Sequence, residues 1–198
     1  MVAAMRHWQR AMRKSRQEAA QTRQRIVDAA SVEFRRKGIG GAALSDVMSA
    51  AGLTHGGFYK HFESKDQVIE ESVSQAIQSL IDGVEAAASG GRGPAAVISG
   101  YLSTKHRDDP GSGCPFVALG SELARSAANV REATTEGFSK LVEAMAAQFD
   151  DLPAAAAKKK ALVTLSTMIG AVTIARIVTD PKLSASILLE ARKRLTTE

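Results

Sequence analysis

The sequence contains one cysteine, Cys114, in 198 residues. A single thiol excludes an internal disulfide framework and any zinc site built from several cysteines. The four histidines, His7, His55, His61 and His106, show no metal-ligand spacing with it, so neither a metal nor another cofactor is expected. Aromatic residues are scarce, at 5%, and the alternation that marks strands is almost absent, which argues against a sheet-based fold. The basic N-terminus is followed by no apolar stretch of the kind a secretory signal requires. The longest uncharged apolar run, 161–175, falls short of the about 20 residues that span a bilayer. Thr164, Ser166, Thr167 and Thr173 dilute it further. A soluble cytoplasmic protein with no membrane partner is the expectation.

What is present points to helices. Hydrophobic residues make up 44% of the chain, enough for a sizeable core, and alanine is abundant. Segment 17–37 places Ile26, Ala29, Ala30 and Phe34 on one face, and Gly38 stops it. A short helix over 45–51 ends at Gly52, and another over 54–62 follows almost at once. Ser64 is the expected N-cap of a long helix with the stripe Ile69, Val73, Ile77, Leu80, Ile81 and Val84. Gly- and Pro-bearing breaks follow at 89–94 and 108–113, with Pro94 and Pro115 placed to start helices and Cys114 at an N-cap. Phe138, Leu141, Val142, Met145 and Phe149 mark another helix. The last two are expected at 154–179 and 184–195, and the first of them is apolar on more than one face. The fold class is all-α.

Charge divides the chain unevenly. Residues 1–66 carry 12 Lys/Arg against 6 Asp/Glu, whereas 67–198 carry 14 against 15. A basic front end on a nearly neutral body suits a phosphate-binding footprint, although a solvated charged surface has the same composition. The chain is read in three parts: 1–16 a basic arm, taken as disordered over the alternative of a minor-groove arm, 17–66 the basic helical unit, and 67–198 a larger helical domain.

Three helices in 17–62, the second and third joined by a tight turn at Gly52, match helix-turn-helix geometry. The third holds Gly56 and Gly57 side by side in its first turn. Each glycine costs up to about 1 kcal/mol in a helix relative to alanine, a penalty that makes sense where something must approach the backbone closely. Thr54 is placed to cap the helix and to offer a hydroxyl to a phosphate. Tyr59 and Lys60 can reach phosphates, and His55 can face base edges. His61 and Phe62 are expected to pack instead.

The run from Thr22 through Ala30 to Phe62-Glu63-Ser64-Lys65-Asp66, with Ala51-Gly52-Leu53-Thr54 followed by Gly56, Phe58-Tyr59 and His61-Phe62, resembles the DNA-binding domain of TetR regulators. The resemblance covers about a third of the chain. It implies that Thr54, His55, Gly56, Gly57, Tyr59 and Lys60 face DNA and that Lys65 touches a phosphate. The chain departs from the pattern at Ala43-Leu44, where relatives often carry a capping threonine; Ser45 is the substitute cap. The resemblance further implies a helical ligand-binding and dimerisation domain after residue 67, a homodimer through the two C-terminal helices, and release from double-stranded operator DNA by a small-molecule effector. The long helix from Lys65 is the expected lever between the domains.

Cys114 has two readings. At a helix N-terminus, after Lys105, His106 and Arg107, its thiolate would be favoured, and Gly113-Cys114-Pro115-Phe116 resembles the segment of some TetR regulators that sense electrophiles or oxidants. The other reading is an inert packed residue beside the pocket. An enzyme using Cys114 with His106 as base, and an architectural protein that binds every duplex alike, are the rival functions. No oxyanion, phosphate-cradling or metal motif accompanies the pair, so the chain is not expected to be an enzyme.

Overall fold

The first helix, α1, runs from Val2 to Lys37 because no glycine or proline interrupts the chain before Gly38. The computed structural model describes residues 2–197, with side chains from Arg16 onward. The backbone of 2–16 is therefore helical here, where the composition had been read as a disordered arm. The basic side chains Arg6, Arg10, Arg13 and Lys14 lie outside the described ones. Gly38 ends α1 at φ +80°, the left-handed cap that a residue with a Cβ rarely adopts.

The remaining elements are α2 (Leu44–Ala50), a 3-10 helix (His55–Lys60), α3 (Lys65–Ser89), α4 (Gly93–Tyr101), α5 (Thr104–Asp108), α6 (Pro115–Leu123), α7 (Ala128–Ala146), α8 (Ala154–Ile177) and α9 (Pro181–Thr196). Every element among the described residues is helical. Several boundaries have visible causes. The Ser64 hydroxyl accepts from Gln67 N at 3.1 Å and starts α3. Pro115 opens α6 with Cys114 at the N-cap, and the Asp180 carboxylate accepts from Lys182 N at 2.8 Å to start α9. The sequence reading missed α5, where Ser103 caps by accepting from His106 N at 3.2 Å.

The core is one continuous cluster running through both halves of the chain. The long helix α3 lies at its centre, packed on α1 and on α7. Its buried stripe holds Ile69, Val73, Ile77, Ile81 and Val84 as the periodicity requires, plus Val68, Ala76 and Ala87. Between α1 and α3 the Ser31 hydroxyl donates to the Ser72 carbonyl at 3.1 Å, which satisfies a buried polar pair. By length and composition α8 is apolar enough to cross a bilayer. Here it packs on α7, α9, α6 and α5, burying Ala161, Leu165, Met168, Val172 and Ala175.

Candidate nucleic-acid interface and effector cavity

The tight turn after α2 has the hydrogen bonds of a Schellman motif. Leu53 N donates to Met48 O at 2.8 Å and Gly52 N to Ser49 O at 2.9 Å. Gly52 occupies φ +69°, so the turn residue is fixed by backbone geometry. The following segment is shorter and tighter than expected: a 3-10 helix over His55–Lys60, not an α-helix over 54–62. The adjacent glycines weaken α-helical propagation there, and Gly57 N returns to Thr54 O at 3.0 Å. Side-chain packing compensates for the few backbone bonds. Phe58 and Phe62 are buried and stacked with centroids 5.4 Å apart, and burying each ring stabilises by about 1.5–3 kcal/mol.

That packing decides which side chains face outward. Thr54, His55, Gly56, Tyr59 and Lys60 are exposed, Gly57 is half-buried against α2 and Phe58 points inward. Tyr59 shows 68% of its surface, unusual for an aromatic. Around the position of a Cβ on Gly56 nothing lies within 4 Å, whereas at Gly57 the Met48 methyl is 3.6 Å away. Thr54 is at the N-cap without a side-chain bond. Ser45 is no cap either: α2 begins at Leu44, and its N-cap residue, Ala43, has no side chain able to cap.

Several cations of the basic region serve the fold. Arg23 pairs with Glu71, donates through Nε to His61 O at 3.2 Å and lies 4.4 Å from the Phe62 ring centroid. Arg25 donates to Ala51 O at 2.6 Å and holds the tight turn. Lys37 bridges Glu33 and Asp46. Lys65 donates to Ile39 O at 2.6 Å and Ala42 O at 2.9 Å, 5.7 Å from the Phe34 centroid. The ammonium expected at a phosphate thus clasps the loop between α1 and α2. Apart from the i,i+4 pair Glu33–Lys37, these partners lie 9 to 48 residues apart in the chain, so no local pattern signals them.

In the larger domain, a cavity of about 660 Å³ opens among α3, α4, α7 and α8, with Val84, Val97, Leu141, Met145, Leu165 and Met168 in its walls. Cys114 and Tyr101 lie on its boundary. Cys114 is buried, and burial pushes its thiol pKa up despite the neighbouring Tyr101 hydroxyl and the helix N–H groups of Phe116 and Val117. Dipole and neighbouring cations therefore fail to hold a thiolate here. The His106 ring has both nitrogens engaged. Nδ1 lies 2.8 Å from the Tyr101 carbonyl, which can only accept, so Nδ1 carries the proton. Nε2 accepts from Cys114 N at 3.1 Å. Burial also lowers the His106 pKa. A base with no ring nitrogen left cannot activate the thiol. No group of three or more His, Cys, Asp or Glu among the described residues could hold a metal ion.

Beside the bonds of α1 to α3, Arg23 with Glu71, Ser31 with Ser72 and Asp28 with Gln75, two further links run from later elements to the helix-turn-helix. Glu122, in the last turn of α6, accepts from Gly40 N at 2.9 Å, and Arg35 of α1 donates through Nε to Gly111 O at 2.8 Å. Arg176 of α8 caps the C-terminal end of α5, donating to Arg107 O at 2.9 Å and His106 O at 2.7 Å.

A three-helix front end with a Schellman turn and an outward-facing recognition segment, set on a cavity-bearing helical body, is the architecture of a helix-turn-helix regulator. Comparison with known proteins agrees. Residues 26–72 match the family of bacterial regulatory proteins, tetR family, and residues 94–183 match the C-terminal domain of LmrA/YxaF-like transcriptional regulators. The chain belongs to the TetR family. It is 41% identical over 59 residues to the HTH-type transcriptional regulator AcrR of Shigella flexneri, a match covering 30% of this chain and 27% of that protein. With TtgR of Pseudomonas putida it shares 34% over 59 residues, 30% of this chain and 28% of the relative. The chain thus spans little more than a quarter of these relatives. A TetR transcriptional regulator from Chloroflexus aurantiacus superposes with a TM-score of 0.72 at 28% identity, covering 91% of this chain and 95% of that one. The reduced form of Escherichia coli NemR superposes at 0.74 and 19% identity over 89% and 96%, a likeness of fold. AcrR, TtgR and the Chloroflexus protein are named transcriptional regulators.

Proposed function

We propose that the chain is a homodimeric, cytoplasmic repressor that binds a specific palindromic operator and leaves it when a small molecule fills the cavity. The observation that carries the DNA-binding reading is Gly56. The fold leaves open space where its side chain would be, so nothing inside the protein requires glycine there. A close approach from outside does, and Thr54, His55, Tyr59 and Lys60 surround the spot. In this reading His55 faces base edges, Thr54, Tyr59 and Lys60 take phosphates, and Gly56 and Gly57 let the backbone lie against the groove. Lys65 belongs to the set only through the one ammonium proton not given to Ile39 and Ala42.

The dimer reading rests on exposed apolar surface. Among the described residues the exposed large hydrophobics other than Tyr59 are Leu162, Val163, Ile174 and Ile177 on α8 and Leu183 and Leu189 on α9. An apolar patch of this kind marks an interface. Two recognition segments must sit about 34–36 Å apart to read half-sites one helical turn apart, and a ligand that favours another separation would release the DNA. The repressor reading draws support from a relative named probable acrEF/envCD operon repressor in Escherichia coli, 36% identical over 59 residues. Cys114 enters as part of the cavity wall, with its thiol protonated.

The test is selection of a preferred duplex from a random pool, followed by Gly56→Leu. The expected result is loss of site-selective binding with helix content and melting temperature kept. Unchanged selective affinity in a folded Gly56→Leu protein would overturn the reading.

A further inference from the structure

A second cavity, of about 360 Å³, lies at the seam between the helix-turn-helix and the larger domain. Asp28, Ser31 and Arg35 of α1 form one wall, Gln75 and Ser79 of α3 another, and Gly111 to Gly113 close it. It meets the large apolar cavity at Ser79, Leu80, Ser112 and Gly113, which line both.

The chemistry of the seam is set by Arg35. Arg35 is half-buried, and burial lowers its pKa. No carboxylate pairs with it among the described residues. Its hydrogen bond to protein runs from Nε to Gly111 O, which leaves the two terminal amino groups of this cavity-lining residue without a protein acceptor. The nearby acids have other partners: Asp28, in the same wall, accepts from Gln24 and Gln75 at 3.0 and 2.8 Å, and Asp109 accepts from Ser112 N at 3.3 Å. A partly desolvated cation without a counter-ion is unfavourable unless an anion arrives, and a planar guanidinium matches a carboxylate with two parallel hydrogen bonds.

We propose that the seam is the head-group site of an elongated effector: a monocarboxylic acid whose carboxylate meets Arg35 and whose apolar tail enters the large cavity. The inference rests on the effector reading above and names its ligand class. It also gives the ligand a route to the DNA-binding unit. A carboxylate held by the terminal amino groups draws on the same guanidinium whose Nε ties α1 to Gly111, so occupancy bears directly on one of the links between the domains. A ligand acting only inside the large cavity would leave that link intact.

The experiment is calorimetric titration of the full chain with octanoate, 1-octanol and acetate. The expected result is octanoate binding about tenfold more tightly than octanol, equivalent to about 1.4 kcal/mol, and no measurable binding of acetate, which lacks a tail. In Arg35→Met the preference should fall to within about twofold while octanol affinity stays unchanged. A merely structural Arg35 would weaken both ligands together. Equal affinities in the wild type, or a preference that survives in Arg35→Met, would overturn the proposal. If Arg35→Met fails to fold, a salt series on the wild type decides: octanoate affinity must fall with ionic strength and octanol affinity must not, and a flat octanoate series overturns the proposal. Operator binding separates the two readings. Arg35-dependent octanoate binding with unchanged operator affinity keeps the site and refutes release by this ligand. No octanoate binding, with release by another compound, refutes the site alone.

Discussion

Replacing Lys65 with methionine tests the assignment that most changes the picture of the DNA-binding unit. The ammonium makes two charge-assisted hydrogen bonds, to Ile39 O and Ala42 O. Hydrogen bonds to charged groups contribute about 1.5–3 kcal/mol each. The side chain is half-exposed, however, so in the variant water can reach the abandoned carbonyls. That solvation brings the loss below this range, to about 1 kcal/mol for each bond and about 2 kcal/mol for the pair. In a chain of this length 1 kcal/mol shifts the melting temperature by about 2–4 °C, so Lys65→Met should melt about 4–8 °C lower. The assay is a thermal scan by circular dichroism at fixed protein concentration, since an oligomer's melting depends on it. A second readout separates clasp from phosphate contact. Each phosphate contact contributes about 0.9 to the slope of log affinity against log salt. If the lysine serves the loop, that slope is unchanged well below the melting point. A melting shift under about 1 °C, with a slope reduced by about 0.9, would refute the argument.

Three further outcomes follow. His106 is held below its ordinary pKa of 6.5, first by burial and also by the Arg176 charge. The native state then binds fewer protons than the unfolded chain, and the contribution of the neutral ring is present above pH 6.5 and lost as pH falls below it. Thermal scans between pH 5 and 7 should show a steeper acid loss in the wild type than in His106→Gln; equal slopes would contradict the burial. Val163→Asp combined with Ile177→Asp should convert a dimer to a monomer in sedimentation at micromolar concentration, and a persistent dimer would place the interface elsewhere. Cys114 should react with a water-soluble disulfide reagent at least tenfold more slowly in the native protein than in guanidinium, because the protonated, buried thiol is both shielded and unactivated. Equal rates would restore the reactive-thiol reading.

Much of the fold was legible because its boundaries are set by local chemistry. Ser64, Pro115 and Asp180 mark helix starts through caps and fixed φ, and the stripe from Ile69 to Val84 shows which face of α3 is buried. The outward set Thr54, His55, Gly56, Tyr59 and Lys60 could be read from the spacing around Phe58 and Phe62. What the sequence hid was long-range or marginal. Glu122 meets Gly40 across 82 residues and Arg35 meets Gly111 across 76, separations at which no periodicity carries information. The choice between an α-turn and a 3-10 turn over His55–Lys60 depends on small differences among short backbone bonds, and aromatic packing decides it. Net positive charge also overstated the phosphate footprint, since Arg23, Arg25, Lys37 and Lys65 hold the unit together.

Helix α6 is a stiff rod of nine residues, about 13 Å long. One end, Cys114, sits in the cavity wall, and the other presents Glu122 to the loop leading into α2. A tilt of this rod reaches the loop before α2 through the Glu122–Gly40 hydrogen bond and α1 through direct packing. Under the proposed release by an effector, Glu122→Ala removes one route from the cavity to the DNA-binding unit while leaving the exposed side chains of His55–Lys60 in place, so operator affinity should be kept and the effector's hold on it weakened.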